Sequence, residues 1–81
     1  MEKRVGVIGI VVEDLNSSSN VNNILHNFSD IIIGRMGIPY KERGISVISI
    51  IVDGTTDEIS ALTGKLGKVI GVNVKSAITK L

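Results

Sequence analysis

Lys3-Arg4-Val5-Gly6-Val7-Ile8-Gly9-Ile10-Val11-Val12 decides the fold, together with its counterpart Ile45-Ser46-Val47-Ile48-Ser49-Ile50-Ile51-Val52. Both runs are almost wholly β-branched residues and small residues, the composition that fits a pleated sheet. Neither alternates cleanly between apolar and polar. A near-continuous apolar strand is the pattern of a central strand covered on both faces. Each run is followed by a helix signal, and each of those by another strand.

After the first run the chain turns polar from Glu13 to Asn20, and Asn16, Ser17, Ser18, Ser19 and Asn20 all suit a helix start. Val21, Ile24, Leu25 and Phe28 then fall at i, i+3, i+4 and i+7, one apolar stripe on a short helix that Asp30 ends. Ile31 to Tyr40 reads as a strand. Pro39 cannot donate to a ladder, so this strand belongs at a sheet edge. Lys41-Glu42-Arg43-Gly44 is a hairpin loop with glycine where positive φ is needed.

Beyond the second central run, Thr55-Thr56-Asp57-Glu58 has capping-box spacing. Ile59, Leu62 and Leu66 mark a helix face, and Gly67 stands where a left-handed terminator is expected. Val69 to Ile78 alternates, with Ile70, Val72, Val74 and Ile78 on one face and Gly71, Asn73, Lys75 and Thr79 on the other. That is a half-exposed edge strand. The order β-α-β-β-α-β is the split βαβ arrangement. Right-handed crossovers then place strands one and three in the middle. The expected fold is α+β and ferredoxin-like: a four-stranded antiparallel sheet of order 4-1-3-2 with both helices on one face.

The 81 residues suffice for a single domain, 1–81, and not for two. A domain of this size hides only about 60% of the surface its unfolded chain exposes, and with no cysteine it has no disulfide to help. Apolar residues make up 43% of the chain, yet only Phe28 and Tyr40 are aromatic. Sheet-borne Ile and Val therefore exceed what two short helices can cover, and the surplus predicts self-association as a homodimer or homotetramer through sheet surfaces. Net charge is +1, with no basic footprint for nucleic acid. The apolar run after Met1-Glu2-Lys3-Arg4 is too short and too interrupted for a signal peptide, and no stretch approaches a membrane span. A cytoplasmic location is expected.

The fold itself does not fix function, but its known uses need particular residues. Base stacking on the sheet needs aromatics on the central strands, and cluster carriers need cysteines; both are lacking. The loop after the first strand carries Glu13 and Asp14, the wrong sign for an acylphosphatase-type anion cradle. Gly64-Lys65-Leu66-Gly67-Lys68 fails as a P-loop, with Leu66 in place of Ser/Thr and no upstream glycine. His26, the single histidine, falls roughly opposite the apolar stripe and reads as solvated. A small metal-binding protein or enzyme using His26 and Arg35 is the alternative reading. Otherwise no catalytic residues and no cofactor are expected, and a regulatory or ligand-binding module is what survives.

His26-Asn27-Phe28-Ser29-Asp30-Ile31-Ile32-Ile33-Gly34-Arg35-Met36-Gly37-Ile38-Pro39-Tyr40, with Ala61 to Gly67 and Gly71-Val72-Asn73-Val74-Lys75, resembles the short regulators of iron-only hydrogenase systems. The resemblance spans nearly the whole chain and implies an ACT-like ferredoxin fold with a regulatory role. From Asp30 onward the chain is more distantly similar to the regulatory domain of nickel-responsive repressors. There His26 matches the first nickel ligand, while the other ligand positions fall on Gly37, Pro39 and Ile45, which cannot bind nickel. No metal is expected, and no operator binding by this chain alone.

The ACT likeness implies a small-ligand site in the stretch from Glu13 to Asn20, with Glu13, Asp14 and Asn16 as candidates and helix-start amides for a carboxylate. The likeness to the nickel-responsive repressors implies subunits that associate through sheets, with Gly34 to Tyr40 near the interface. There Gly34 and Gly37 would admit a close approach, Arg35 could meet an anionic group, and Tyr40 closes the segment.

Overall fold

A computed structural model of the chain describes residues 2–79. Four strands and two helices follow in the expected order: β1 Lys3–Val12, α1 Ser18–Asn27, β2 Ile32–Tyr40, β3 Ile45–Thr55, α2 Thr56–Gly67 and β4 Val72–Thr79. Short 3₁₀ turns precede α1, precede β2 and close the β2–β3 hairpin. The sheet order is β2-β3-β1-β4, the 4-1-3-2 arrangement read from the other edge, and every pairing is antiparallel. The two Ile/Val runs are the two central strands.

One face of the sheet is the core. Ile8, Ile10 and Val12 of β1 and Ile48, Ile50 and Val52 of β3 point to the helices and are buried with Val21 and Leu25 of α1 and Ile59, Leu62 and Leu66 of α2. The helix stripes read from spacing are those that pack. Ile24 and Phe28 complete the α1 contact as half-buried residues. At about 25 cal/mol per Å² of apolar surface, each fully buried Ile or Leu contributes roughly 1.5–3 kcal/mol relative to exposure.

Three element ends differ from the sequence reading. β3 continues to Thr55, because β1 begins at Lys3 and supplies partners up to that residue. α1 ends at Asn27, and a 3₁₀ turn over Ser29–Ile31 turns Ile31 into the core before β2 starts. A bulge between Ile32 and Gly34 follows, in the strand that carries Pro39 at the sheet edge.

The third correction concerns Gly67 and Ile70. Gly67 is the last helical residue, capped by Lys68 in right-handed conformation, and the left-handed glycine is Gly71 with φ 74°. Val69 and Ile70 therefore belong to a turn, not to β4, and Ile70 is 81% exposed. The expected hairpin glycine, Gly44, does adopt positive φ, at 67°.

The capping box at α2 is complete. The Thr55 hydroxyl accepts from the Glu58 N–H at 3.1 Å, and Glu58 Oε1 accepts from the Thr55 N–H at 2.8 Å. The bond from the Thr55 backbone, and then that involving its side chain, hold the Glu58 carboxyl below its ordinary range. A depressed folded-state value stabilises the fold above the unfolded-state value, and that contribution disappears as pH falls through the folded one. Thermal melts from neutral pH down to about pH 3 should therefore show a shallower acid-side loss for Glu58→Gln than for wild type. Thr55→Ala should cost about 1 kcal/mol at neutral pH.

Candidate functional site

The loop from Glu13 to Ser17 is tied down by the turn before β4. The N–H groups of Glu13 and Asp14 point to the Gly71 carbonyl, at 2.7 and 3.4 Å. Ser17, buried on this side of the molecule, donates its hydroxyl to the Ile70 carbonyl at 2.7 Å. The Asp14 carboxylate accepts from the Asn16 N–H at 3.0 Å and caps the short turn that leads into α1. Gly71 makes this contact feasible. A Cβ there would lie 2.5 Å from the Asp14 Cβ, besides facing the strain of positive φ.

This docking leaves a groove of about 530 Å³ between α1 and the α2–β4 turn. Asp14 and Ser17 stand at one end. Asn20, Asn23, Ile24 and Asn27, spaced to share one flank of α1, form a wall, and Lys68, Val69 and Ile70 form the other. The groove thus combines one carboxylate, one ammonium group, three carboxamides that both donate and accept, and apolar surface from Ile24, Val69 and Ile70. It suits a small molecule with polar and apolar parts. Asparagine is a poor helix former, costing roughly 0.5 kcal/mol relative to alanine per position; α1 carries four in ten residues.

The seven residues expected to bind a ligand fall in three places. Glu13, Asp14 and Asn16 lie in the docked loop, and of these only Asp14 lines the groove. Arg35 and Gly37 are opposite Ile50 and Ile48 and so occupy the helix-bearing side of β2. Gly34 and Tyr40 are opposite Ile51 and Ile45 and occupy the other side. Arg35 Nη2 donates to Asn22 Oδ1 of α1. His26 is exposed, as its wheel position predicts, and lies beside Arg35 in a smaller recess. Among the described residues, no three His, Cys, Asp or Glu side chains gather as a metal site.

The sequence reading missed Asn23, Asn27, Lys68 and Ile70. The asparagine spacing along α1 is a detectable signal; the contribution of the α2–β4 turn is not, because it depends on the left-handed Gly71.

The opposite face of the sheet is uncovered. Val7, Val47, Ile51, Met36, Ile38 and Tyr40 are all exposed there. The register aligns Gly34, Ile51, Val7 and Ala77 in one row across the sheet, and Ile38, Val47, Val11 and Asn73 in another. Asp53 and Lys75 lie on the same face, Asp53 beside Val5 near one end and Lys75 on the β4 edge. No helix is long and apolar enough to cross a membrane among the described residues.

A four-stranded sheet of this order, two helices on one face and a groove beside the first loop define an ACT-like domain. The ACT domain of the GTP pyrophosphokinase of Chlorobium tepidum superposes with a TM-score of 0.79 at 26% identity, covering 93% of this chain and 99% of that one. The chain belongs to the TM1266-like family of iron-only hydrogenase system regulators, which it matches over residues 4–76. The uncharacterized protein TM1266 of Thermotoga maritima is 40% identical, with a TM-score of 0.93 and coverage of 98% of this chain and 100% of that one. A PII-like nitrogen regulatory protein of Thiomonas intermedia, bound to ADP, AMP and bicarbonate, shares the fold at 13% identity and a TM-score of 0.51, over 98% of this chain and 99% of that one. No curated protein sequence matches the chain.

Gly71→Ala tests the docking of the loop. It should lower stability by about 1–2 kcal/mol from left-handed strain alone, with a further loss from the Asp14 contact. Denaturant unfolding measures the first effect. Amide exchange at Glu13 and Asp14 should quicken as their shared acceptor moves.

Proposed function

We propose that the chain is a homo-oligomeric ACT-like regulatory domain of an iron-only hydrogenase system, which senses a small molecule or docks on a partner. It works by binding and not by catalysis. The observation that carries this reading is the uncovered sheet face, where six large apolar side chains are exposed together. Monomeric soluble proteins rarely expose contiguous apolar patches beyond a few hundred Å².

The face is large enough to seat a second copy in a small interface. Four strands at about 4.8 Å spacing and some seven residues at about 3.4 Å give a flat area on the order of 450 Å². Two copies packed face to face would bury on the order of 900 Å² in total, the size of a small, weak interface. Its Val, Ile and Met centre with Asp53 and Lys75 nearby has the make-up of an interface core and polar surround. Gly34 and Tyr40 belong to this face and fit a role in association.

The groove beside α1 is the site for the sensed molecule, with Asp14 at its end and the asparagine flank to orient a polar ligand. Glu13 and Asn16 shape the loop that carries Asp14. Membership of a regulator family and the ACT-like fold support a sensing role.

Sedimentation equilibrium at micromolar concentrations decides the association. The wild-type chain should sediment as a dimer or larger, and Ile51→Glu, which places a carboxylate at the centre of the face, should sediment as a folded monomer. A wild-type monomer under these conditions overturns the reading.

A further inference from the structure

Helix α1 has a second flank. Asn22, Leu25 and His26 look toward β2, and with Ser29, Ile32 and Arg35 they enclose a recess of about 240 Å³. Arg35 reaches it because it stands on the helix-bearing side of the edge strand. Its guanidinium donates to the Asn22 side-chain oxygen, which ties the group to α1. A guanidinium has five N–H donors, so most of them stay available to a ligand.

The recess is rich in donors and has no carboxylate among its lining residues. Among the described residues the only ion pair joins Arg4 to Glu2, which leaves Arg35 without an acidic partner. Ser29, Asn22 and His26 line the recess with Arg35 and supply further polar groups, and Leu25 and Ile32 add apolar surface. A metal ion does not fit, because Arg35 repels it and His26 is the only strong ligand present.

We propose that this recess is a second binding site, distinct from the groove on the other flank of α1, and that it takes a tetrahedral oxyanion. The source is free phosphate or the phosphoryl group of a phosphomonoester. Arginine binds such groups through paired N–H contacts, and donors arriving from helix and strand together suit a tetrahedral anion better than a planar carboxylate. The carbonyl end of α1 is close by and opposes an anion, so the site is a weak one. For five heavy atoms, an affinity on the order of 1 mM matches what very small ligands achieve.

The test is a backbone-amide NMR titration of the full chain with inorganic phosphate, with ionic strength held constant by sodium chloride. A parallel titration uses glucose 6-phosphate. Saturable shifts at Asn22, His26, Ser29 and Arg35 are expected, and Arg35→Gln should weaken binding at least about tenfold. Lys68→Gln, on the other flank, should leave it unchanged. Tighter binding of the phosphomonoester assigns the site to a phosphorylated metabolite; equal or tighter binding of inorganic phosphate assigns it to the free ion. If the Arg35→Gln spectrum shows loss of fold, Ser29→Ala and His26→Gln decide, each weakening binding a few-fold. Shifts that rise linearly without saturation, persist in these variants or cluster at Lys68 overturn the proposal, whatever the oligomeric state.

Discussion

Ten consecutive residue pairs hold β1 against β3, from Lys3 opposite Thr55 to Val12 opposite Ser46. The rest of the molecule depends on that ladder. Both strands carry β-branched residues on both faces, so each face presents apolar surface. Helices α1 and α2 cover one. They attach through narrow stripes, Val21 and Leu25 from the first and Ile59, Leu62 and Leu66 from the second. Two helices packed on one side of a sheet cannot reach the other, so the opposite face is left apolar and open. In so small a domain, that imbalance is what motivates the proposed self-association.

The central strands, the helix stripes, the capping box and the sheet order were legible because each rests on short-range pattern. Residue type and spacing set them, and tertiary contacts agree. What pattern could not resolve were ends decided by distant partners. β3 extends past Val52 because Lys3 to Val5 of β1 pair with Asp53 to Thr55. Gly67 has the right spacing for a left-handed terminator, yet the chain makes that turn at Gly71, where the backbone must pass close to Asp14. A glycine's sequence position shows that positive φ is tolerated, not that it occurs.

The candidate site was legible in outline only. Composition marked the loop after β1 only as a helix start, the ACT likeness made it a candidate site, and Asp14 lines a groove there. Its other wall comes from Lys68, Val69 and Ile70, more than fifty residues further along the chain. The stretch from Gly34 to Tyr40 was read as one surface. The strand's alternation splits it, with Gly34 and Tyr40 on the open face and Arg35 and Gly37 on the helix side. That split separates residues suited to subunit contact from residues suited to an anion, a distinction that reading the segment as a unit obscures.

Tyr40 sits at the end of β2 on the uncovered face, and the chain has neither tryptophan nor a second tyrosine. Its near-ultraviolet absorbance and intrinsic emission therefore originate almost entirely from one ring on that surface. The protein carries a built-in optical probe on its uncovered sheet face, while its fully buried hydrophobic side chains are all aliphatic.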